Sequence, residues 1–196
     1  MKRNSNLHKA RKEKNDEFYT RYEDIENEVK HYADELKGQW IYCPCDDYEW
    51  SNFVKYFKDN FSRYGLKHLT ATHIHMDGTP SERYDYDGVN ETITMLTGNG
   101  DFRSDECTKI KDDADIVITN PPFSLFIQFI KWLSDDEGTK KFLILGSNIE
   151  PSRKVVFKLM MNNIISVGYI YDKSLTFECS SGTKKIAVGW YTSLPV

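Results

Sequence analysis

The stretch "DADIVITNPPFSLF", residues 113–126, decides the fold. Ile116, Val117 and Ile118 are apolar in succession, and Thr119 leads straight into Asn120, Pro121, Pro122 and Phe123. An unbroken apolar run reads as a strand covered on both faces, as in a parallel sheet. The prolines end it, because proline has no N–H for a strand ladder and fixes its own φ. A helical pattern starts at once, with Phe126, Phe129, Ile130 and Leu133 on one side. A buried strand, a rigid turn and a helix make one unit of an alternating α/β chain.

The same alternation continues in both directions. Residues 22–38 place Ile25, Val29, Tyr32 and Leu36 on one helical face, and Gly38 closes that helix. "QWIYC" (39–43) is a short buried strand. Residues 51–65 form a second helix, with Phe53, Val54, Phe57 and Phe61 inward and Ser51 as N-cap. Residues 66–75 alternate as a strand, 76–88 read as a polar loop, and 91–100 read as a strand running into glycines. A short helix is expected over 107–111, a strand over 141–147 and a helix over 151–163 with Pro151 at its start. Residues 166–172 and 184–194 read as two closing strands.

Composition bounds the rest. The 196 residues suit one domain, and the 39% of hydrophobic residues can bury a sheet between helices. Neither an apolar run of membrane length nor a signal-peptide core is present, so a cytoplasmic protein without membrane contact is expected. Cys43, Cys45, Cys107 and Cys179 have no Cys-x-x-Cys spacing; they read as reduced thiols and offer no metal site. The net charge of −4 is uneven: residues 1–14 carry six cations against Glu13, a net +5, which leaves −9 for the remainder. Such a flexible basic arm suits phosphate groups.

In a parallel sheet, ligands sit beyond the carboxyl ends of the strands. After "QWIYC" comes "PCDDYEWSNF", with Asp46 and Asp47 ahead of a helix and no glycine-rich phosphate loop. Paired acids suit hydroxyl or ammonium groups. "GNGDFRS" sets Asp101 beside Phe102: an acid can accept from an exocyclic amine, and a ring can lie on a purine. Each feature alone is ordinary turn or cap chemistry. Placed at successive strand ends, together with Asn120 to Phe123, they suit an adenosine, a positive centre and a second planar group.

These residues carry a resemblance. "DIVITNPPF" looks like the catalytic motif of S-adenosylmethionine-dependent amino-methyltransferases, and "NDEFYTRYEDIE", "CPCDDYEWSNFVKYF", "YDYDG", "GDFRSDEC" and "KKFLILG" resemble the EcoRI-type adenine-specific DNA methyltransferase family. The resemblance implies a Rossmann-like methyltransferase fold with a mostly parallel seven-stranded sheet and helices on both faces. One domain over residues 15–196 is expected; the resemblance would place a target-recognition domain after the last strand, and none is evident there. It implies S-adenosyl-L-methionine as cofactor and DNA as partner, with target recognition open to a partner subunit. Phe18, Tyr19 and Thr20 would line the methionine end. Pro44, Cys45, Asp46 and Asp47 would hold its ammonium or the ribose, and Asp101 and Phe102 the adenine. Asn120, Pro121, Pro122 and Phe123 would be catalytic. The family's acid at the end of the second strand is replaced here by "THIH", which leaves Asp77 or Asp46 for the ribose. The expected activity is transfer of a methyl group to the exocyclic amine of a flipped-out adenine. The alternatives are RNA adenine or protein glutamine as acceptor, or an inactive binding subunit.

Overall fold

A computed structural model describes residues 20–135, 138–179 and 182–196. The basic arm of residues 1–14, Phe18 and Tyr19 lie outside the described residues. The chain opens with α1 (Tyr22–Val29), continued by a 3₁₀ turn and a short helix that ends at Leu36. There follow β1 (Trp40–Cys43), α2 (Asn52–Asp59), β2 (His68–Thr72), β3 (Glu82–Tyr86) and β4 (Glu91–Met95). Then come α3 (Asp105–Asp113), β5 (Ile116–Thr119), α4 (Phe126–Leu133), β6 (Lys141–Ser147) and α5 (Lys154–Met161). The chain finishes with β7 (Lys173–Cys179) and β8 (Gly182–Thr192).

The strands form one sheet in the order β7-β8-β6-β5-β1-β2-β3-β4, and a two-residue strand, Ser166–Val167, pairs with β8. The four central strands, β6, β5, β1 and β2, run parallel. Antiparallel strands extend both sides. Chain order reverses between β1 and β5, since β1 runs on to β2 on one side and β5 returns on the other. That crevice is where such sheets bind ligands.

Successive side chains of the central strands split between two cores, as the two-residue strand period requires. Ile41, Ile116, Ile118, Leu143 and Leu145 pack with Ile25, Val29, Leu36, Phe53 and Phe57 from α1 and α2. Tyr42, Val117, Phe142 and Ile144 pack with Ile110, Phe126, Phe129, Ile130 and Val156 from α3, α4 and α5. Apolar residues are needed on both faces, which is why these strands do not alternate in sequence.

Four expectations need correction. The expected polar loop over 76–88 contains β3, paired antiparallel to β2. Its polar letters suit a strand near the sheet margin: Asp85 accepts from Thr70 Oγ1 at 2.6 Å on one face, while Tyr84 is buried and stacks on Tyr48 on the other. The partner of the last strand is Lys173–Cys179, and only Ser166–Val167 of the expected strand 166–172 is extended into the sheet. The sheet therefore has nine strands rather than seven. Pro151 sits in a 3₁₀ turn ahead of α5 rather than within its first turn.

Glu28 locks α1 to the sheet margin. Its buried carboxylate accepts from Tyr32 Oη (2.9 Å) and from the backbone N–H groups of Tyr169 (2.9 Å) and Ile170 (2.7 Å). Gly168 permits this approach, because a Cβ there would overlap the Glu28 carboxylate. Burial still raises the Glu28 pKa, against the three donors. Glu28→Ala should strand those donors and lower stability by about 2–4 kcal/mol in urea unfolding, while Glu28→Gln, which keeps an acceptor, should lose less. Equal stability of Glu28→Ala and wild type would show that the clamp carries no weight.

Candidate functional site

A cleft opens at the carboxyl ends of β1, β2 and β5. Thr20, Pro44, Cys45, Asp46, Asp47, Asp101, Phe102, Asn120, Pro121 and Pro122 all line it. Ten of the residues singled out from sequence thus meet in one place, from segments up to a hundred residues apart.

Asp46 forms its floor. Its backbone N–H donates to the Thr72 carbonyl of β2 at 2.9 Å. Ser51 Oγ donates to Asp46 Oδ1, and Thr119 Oγ1, at the last position of β5, donates to Oδ2, both at 2.5 Å. Ser51 is also the N-cap of α2, accepting from Phe53 N at 3.0 Å. One buried residue therefore ties the end of β1 to α2 and β5 through its carboxylate and to β2 through its backbone N–H. Burial pushes its pKa up to about 6, and the Ser51 and Thr119 hydroxyls offset only part of that.

Asp47 has a looser setting. Its Oδ1 accepts from Glu49 N at 2.9 Å, and its Oδ2 lies 3.5 Å from His73 Nε2. Thr20 is buried, and its carbonyl accepts from Asn52 Nδ2 at 2.8 Å. Thr20 Oγ1, buried in the cleft wall, has no hydrogen-bond partner among the described residues.

Asp101 does not leave a strand of the parallel sheet. It arrives on the return from β4, where Ser81 N donates to the Gly98 carbonyl and His75 N to the Asn99 carbonyl. Gly100 is required for this return: its φ is +78°, and a Cβ would overlap the His73 carbonyl. Arg103 grips both oxygens of Asp101 (2.9 and 2.5 Å) and reaches Gln128 of α4 (2.9 Å). That guanidinium holds the Asp101 pKa below its ordinary value. Phe102 lines the cleft with only a sliver of its surface; its ring is 4% exposed and packs edge-on against Phe129 and Trp132.

Asn120 follows Thr119 directly, and its side-chain oxygen is buried. Pro121 is buried, and the Pro122 carbonyl accepts from Leu125 N at 2.9 Å, opening the 3₁₀ turn that leads into α4. Phe123 is not part of the cleft wall. Its half-buried ring stands edge-on to Phe177 of β7, with centroids 6.4 Å apart. Asp77 is exposed and caps its own turn at Thr79, away from the wall, so of the two acids considered for the ribose only Asp46 lines the cleft.

Sequence reasoning missed Thr119, Asn52, His73 and Arg103. Thr119 had a signal, as the one polar residue closing an apolar strand. The others are visible only once distant segments meet.

The fold is that of the Rossmann-like methyltransferases. A solved structure from Pyrococcus horikoshii, assigned as an RNA methyltransferase, matches with a TM-score of 0.50 at 14% identity, over 84% of this chain and 79% of that one. The sequence is more specific. The family model described as adenine-specific methyltransferase EcoRI matches residues 6–192, and the chain belongs to that family. Its relatives include the type II methyltransferase M.EcoRI of Escherichia coli, 40% identical over 182 residues (84% of this chain, 55% of that protein). Another is the type II methyltransferase M.MgeORF184P of Mycoplasma genitalium, 38% identical over 175 residues (89% of this chain, 54% of that protein). A third is M.MpnI of Mycoplasma pneumoniae, 38% identical over 178 residues (91% and 55%). The chain spans about half the length of the curated relatives it matches. No helix among the described residues is long and apolar enough to cross a membrane.

The Asp46 pKa of about 6 in the folded chain lies above the ordinary 3.8. The folded chain keeps this proton between the two values, so the contribution of Asp46 to stability is fullest at low pH and is lost as pH rises through about 6. Asp46→Asn has no proton to lose. It should gain on wild type between about pH 5 and about pH 8, by roughly 1.4 kcal/mol, about half of the full effect of the shift. Thermal melts at the two pH values check this; a difference that does not change with pH would remove the claim that a buried charge is held here.

Proposed function

We propose that this chain uses S-adenosyl-L-methionine to methylate the exocyclic amine of adenine in DNA. The observation that carries the reading is the meeting of Asn120, Pro121 and Pro122 with Asp46 and Asp101 in one cleft, on a chain of this family. The cleft's chemistry suits the cofactor. Asp46 and Asp47 offer carboxylates for hydroxyl or ammonium groups, and Thr20 Oγ1 is a buried hydroxyl without a protein partner among the described residues. Asp101 retains acceptor capacity beside its Arg103 contacts for an adenine amine, and Ile74, Phe102 and Leu125 supply apolar wall. The cofactor, bound there, supplies a methyl group already activated by its sulfonium centre.

The residues of the chain do the rest. An adenine amine is a poor nucleophile because its lone pair spreads into the ring. The Asn120 side-chain oxygen and the Pro121 carbonyl accept its two hydrogens, which draws the nitrogen towards tetrahedral geometry and localises the lone pair. The same dipoles stabilise positive charge on the nitrogen, and they are fixed before the reaction starts. Thr119 holds its place through Asp46, so the residue that follows it is aimed by the strand rather than by a mobile loop. An adenine inside a duplex cannot reach this depth and must be flipped out, with Phe123, which follows the two prolines, as the ring that meets it. DNA is the proposed partner; the six cations of residues 1–14 would hold phosphates near the flipped base.

The test is transfer of a labelled methyl group from S-adenosyl-L-methionine to DNA, RNA and protein in parallel, followed by nucleoside analysis. N6-methyladenine in DNA is expected. Label confined to RNA or protein would replace the proposed acceptor, and no label anywhere would favour a binding subunit. Asn120→Ala should slow transfer by at least ~10²–10³ while cofactor affinity by calorimetry stays near wild type. Loss of cofactor binding in that variant would move Asn120 from the acceptor side to the cofactor side.

A further inference from the structure

Just beyond the end of β2, His73 and His75, two residues apart, project to the same spot. Their rings lie 4.8 Å apart. Antiparallel pairing of β3 with β2 brings Glu82 to the same spot, with its Oε2 3.2 Å from His75 Nε2. One ligand atom from each of His73, His75 and Glu82 falls within 4.8 Å of the others. Two imidazoles and one carboxylate are a donor set for zinc-type ions, whereas calcium and magnesium favour sites made of oxygens. Ligand atoms around a tetrahedral ion with bonds of about 2.0–2.1 Å stand roughly 3.3 Å apart, close to the His75–Glu82 spacing.

The surroundings match those of a ligating histidine. Thr79 Oγ1 donates its single proton to Asp77 Oδ1 at 2.7 Å, so it meets His75 Nδ1, 3.1 Å away, as an acceptor. That places a proton on Nδ1 and leaves Nε2, which faces Glu82, as the ring atom open to an ion. A hydrogen bond from the outer nitrogen of the ring is the usual support of a metal-bound imidazole. Asp47 Oδ2, 3.5 Å from His73 Nε2, adds negative charge beside the three groups without being one of them. The backbone is held as well. The His73 carbonyl accepts from Ser81 Oγ (2.6 Å), His75 N donates to the Asn99 carbonyl (2.7 Å), and the His75 carbonyl accepts from Gly78 N (3.0 Å). The side chains are partly exposed, so an ion can enter from solvent.

We propose that His73, His75 and Glu82 form a binding site for one divalent transition-metal ion of the zinc type, with water completing its shell. The ion ties the extension of β2 to the start of β3. Because His73 also lines the cleft, the ion stiffens one wall of that cleft. The site is independent of the acceptor chosen for the methyl group.

The experiment uses tag-free, chelator-stripped protein titrated with Co²⁺, followed by calorimetry and by visible absorption. One equivalent is expected, with the weak visible bands of nitrogen and oxygen ligation and no near-ultraviolet thiolate band. Zn²⁺ should displace Co²⁺ and raise Tm. His75→Ala and the near-isosteric Glu82→Gln should each weaken Co²⁺ binding at least tenfold, and Thr79→Val, which removes the support of the His75 ring, by about 10–100-fold. Circular dichroism of each variant separates lost binding from lost fold, and Thr79→Val leaves all three ligands in place. The proposal is overturned if wild type takes up no Co²⁺, if a thiolate band shows that cysteines are the ligands, or if Glu82→Gln and Thr79→Val bind as wild type does.

Discussion

The buried carboxylate of Asp46 is the constraint on which the rest of the site depends. It accepts from two hydroxyls, one from the cap of α2 and one from the end of β5, while the backbone N–H of the same residue donates to β2. Burial works against it: a pKa near 6 instead of 3.8 corresponds to roughly 3 kcal/mol of disfavoured charge at neutral pH. The chain tolerates that because the same contacts set the geometry of the cleft. Thr119 cannot move without losing its acceptor, and Asn120 is one residue further on. Ser51 cannot move without uncapping α2. The position of Asn120 in the cleft is here set by strand register and one charge, not by loop packing.

The central part of this architecture was legible in the sequence for a plain reason. Ile116, Val117 and Ile118 must be apolar because both faces of β5 are covered, and the helices α1, α2 and α4 each show one continuous apolar side. Ser51 could be read as a cap, since a serine ahead of an apolar helical pattern has few other uses. The outer strands were not legible. In β3, Glu82, Arg83 and Asp85 satisfy themselves at a solvated margin, so the run reads as loop until its partner β2 is known. β7 likewise gains its identity from pairing with β8, whose register no local pattern states.

The site was legible in its residue types and less so in its contacts. Asp46 and Asn120 stand just beyond the ends of parallel strands, and Asp101 reaches the same cleft on the return from β4. The sequence did not show that Asp101 is already gripped by Arg103, because an acid and an arginine two residues apart are as often turned away from each other. Nor did it show that Phe102 spends most of its surface in the core under α4, or that Phe123 lies against β7. His73, His75 and Glu82 looked unrelated because the hairpin that joins them was read as loop. In each case the missing information was a long-range approach, which single-chain periodicity does not encode.

The parallel pairing of β1 with β5 has a consequence for how the molecule comes into being. Ile41 meets Ile116 and Asp46 meets Thr119 across more than seventy residues of intervening chain. Closing so long a loop is entropically expensive, and its reward comes only once both strands are in register. The outer hairpins β3–β4 and β7–β8 need far less chain to close. Margins of the sheet can therefore form early, while its centre waits for distant segments to find one another. The cleft is the place where those segments meet, so on this topology it is among the last parts to be completed on folding and among the first to be lost when the centre of the sheet opens.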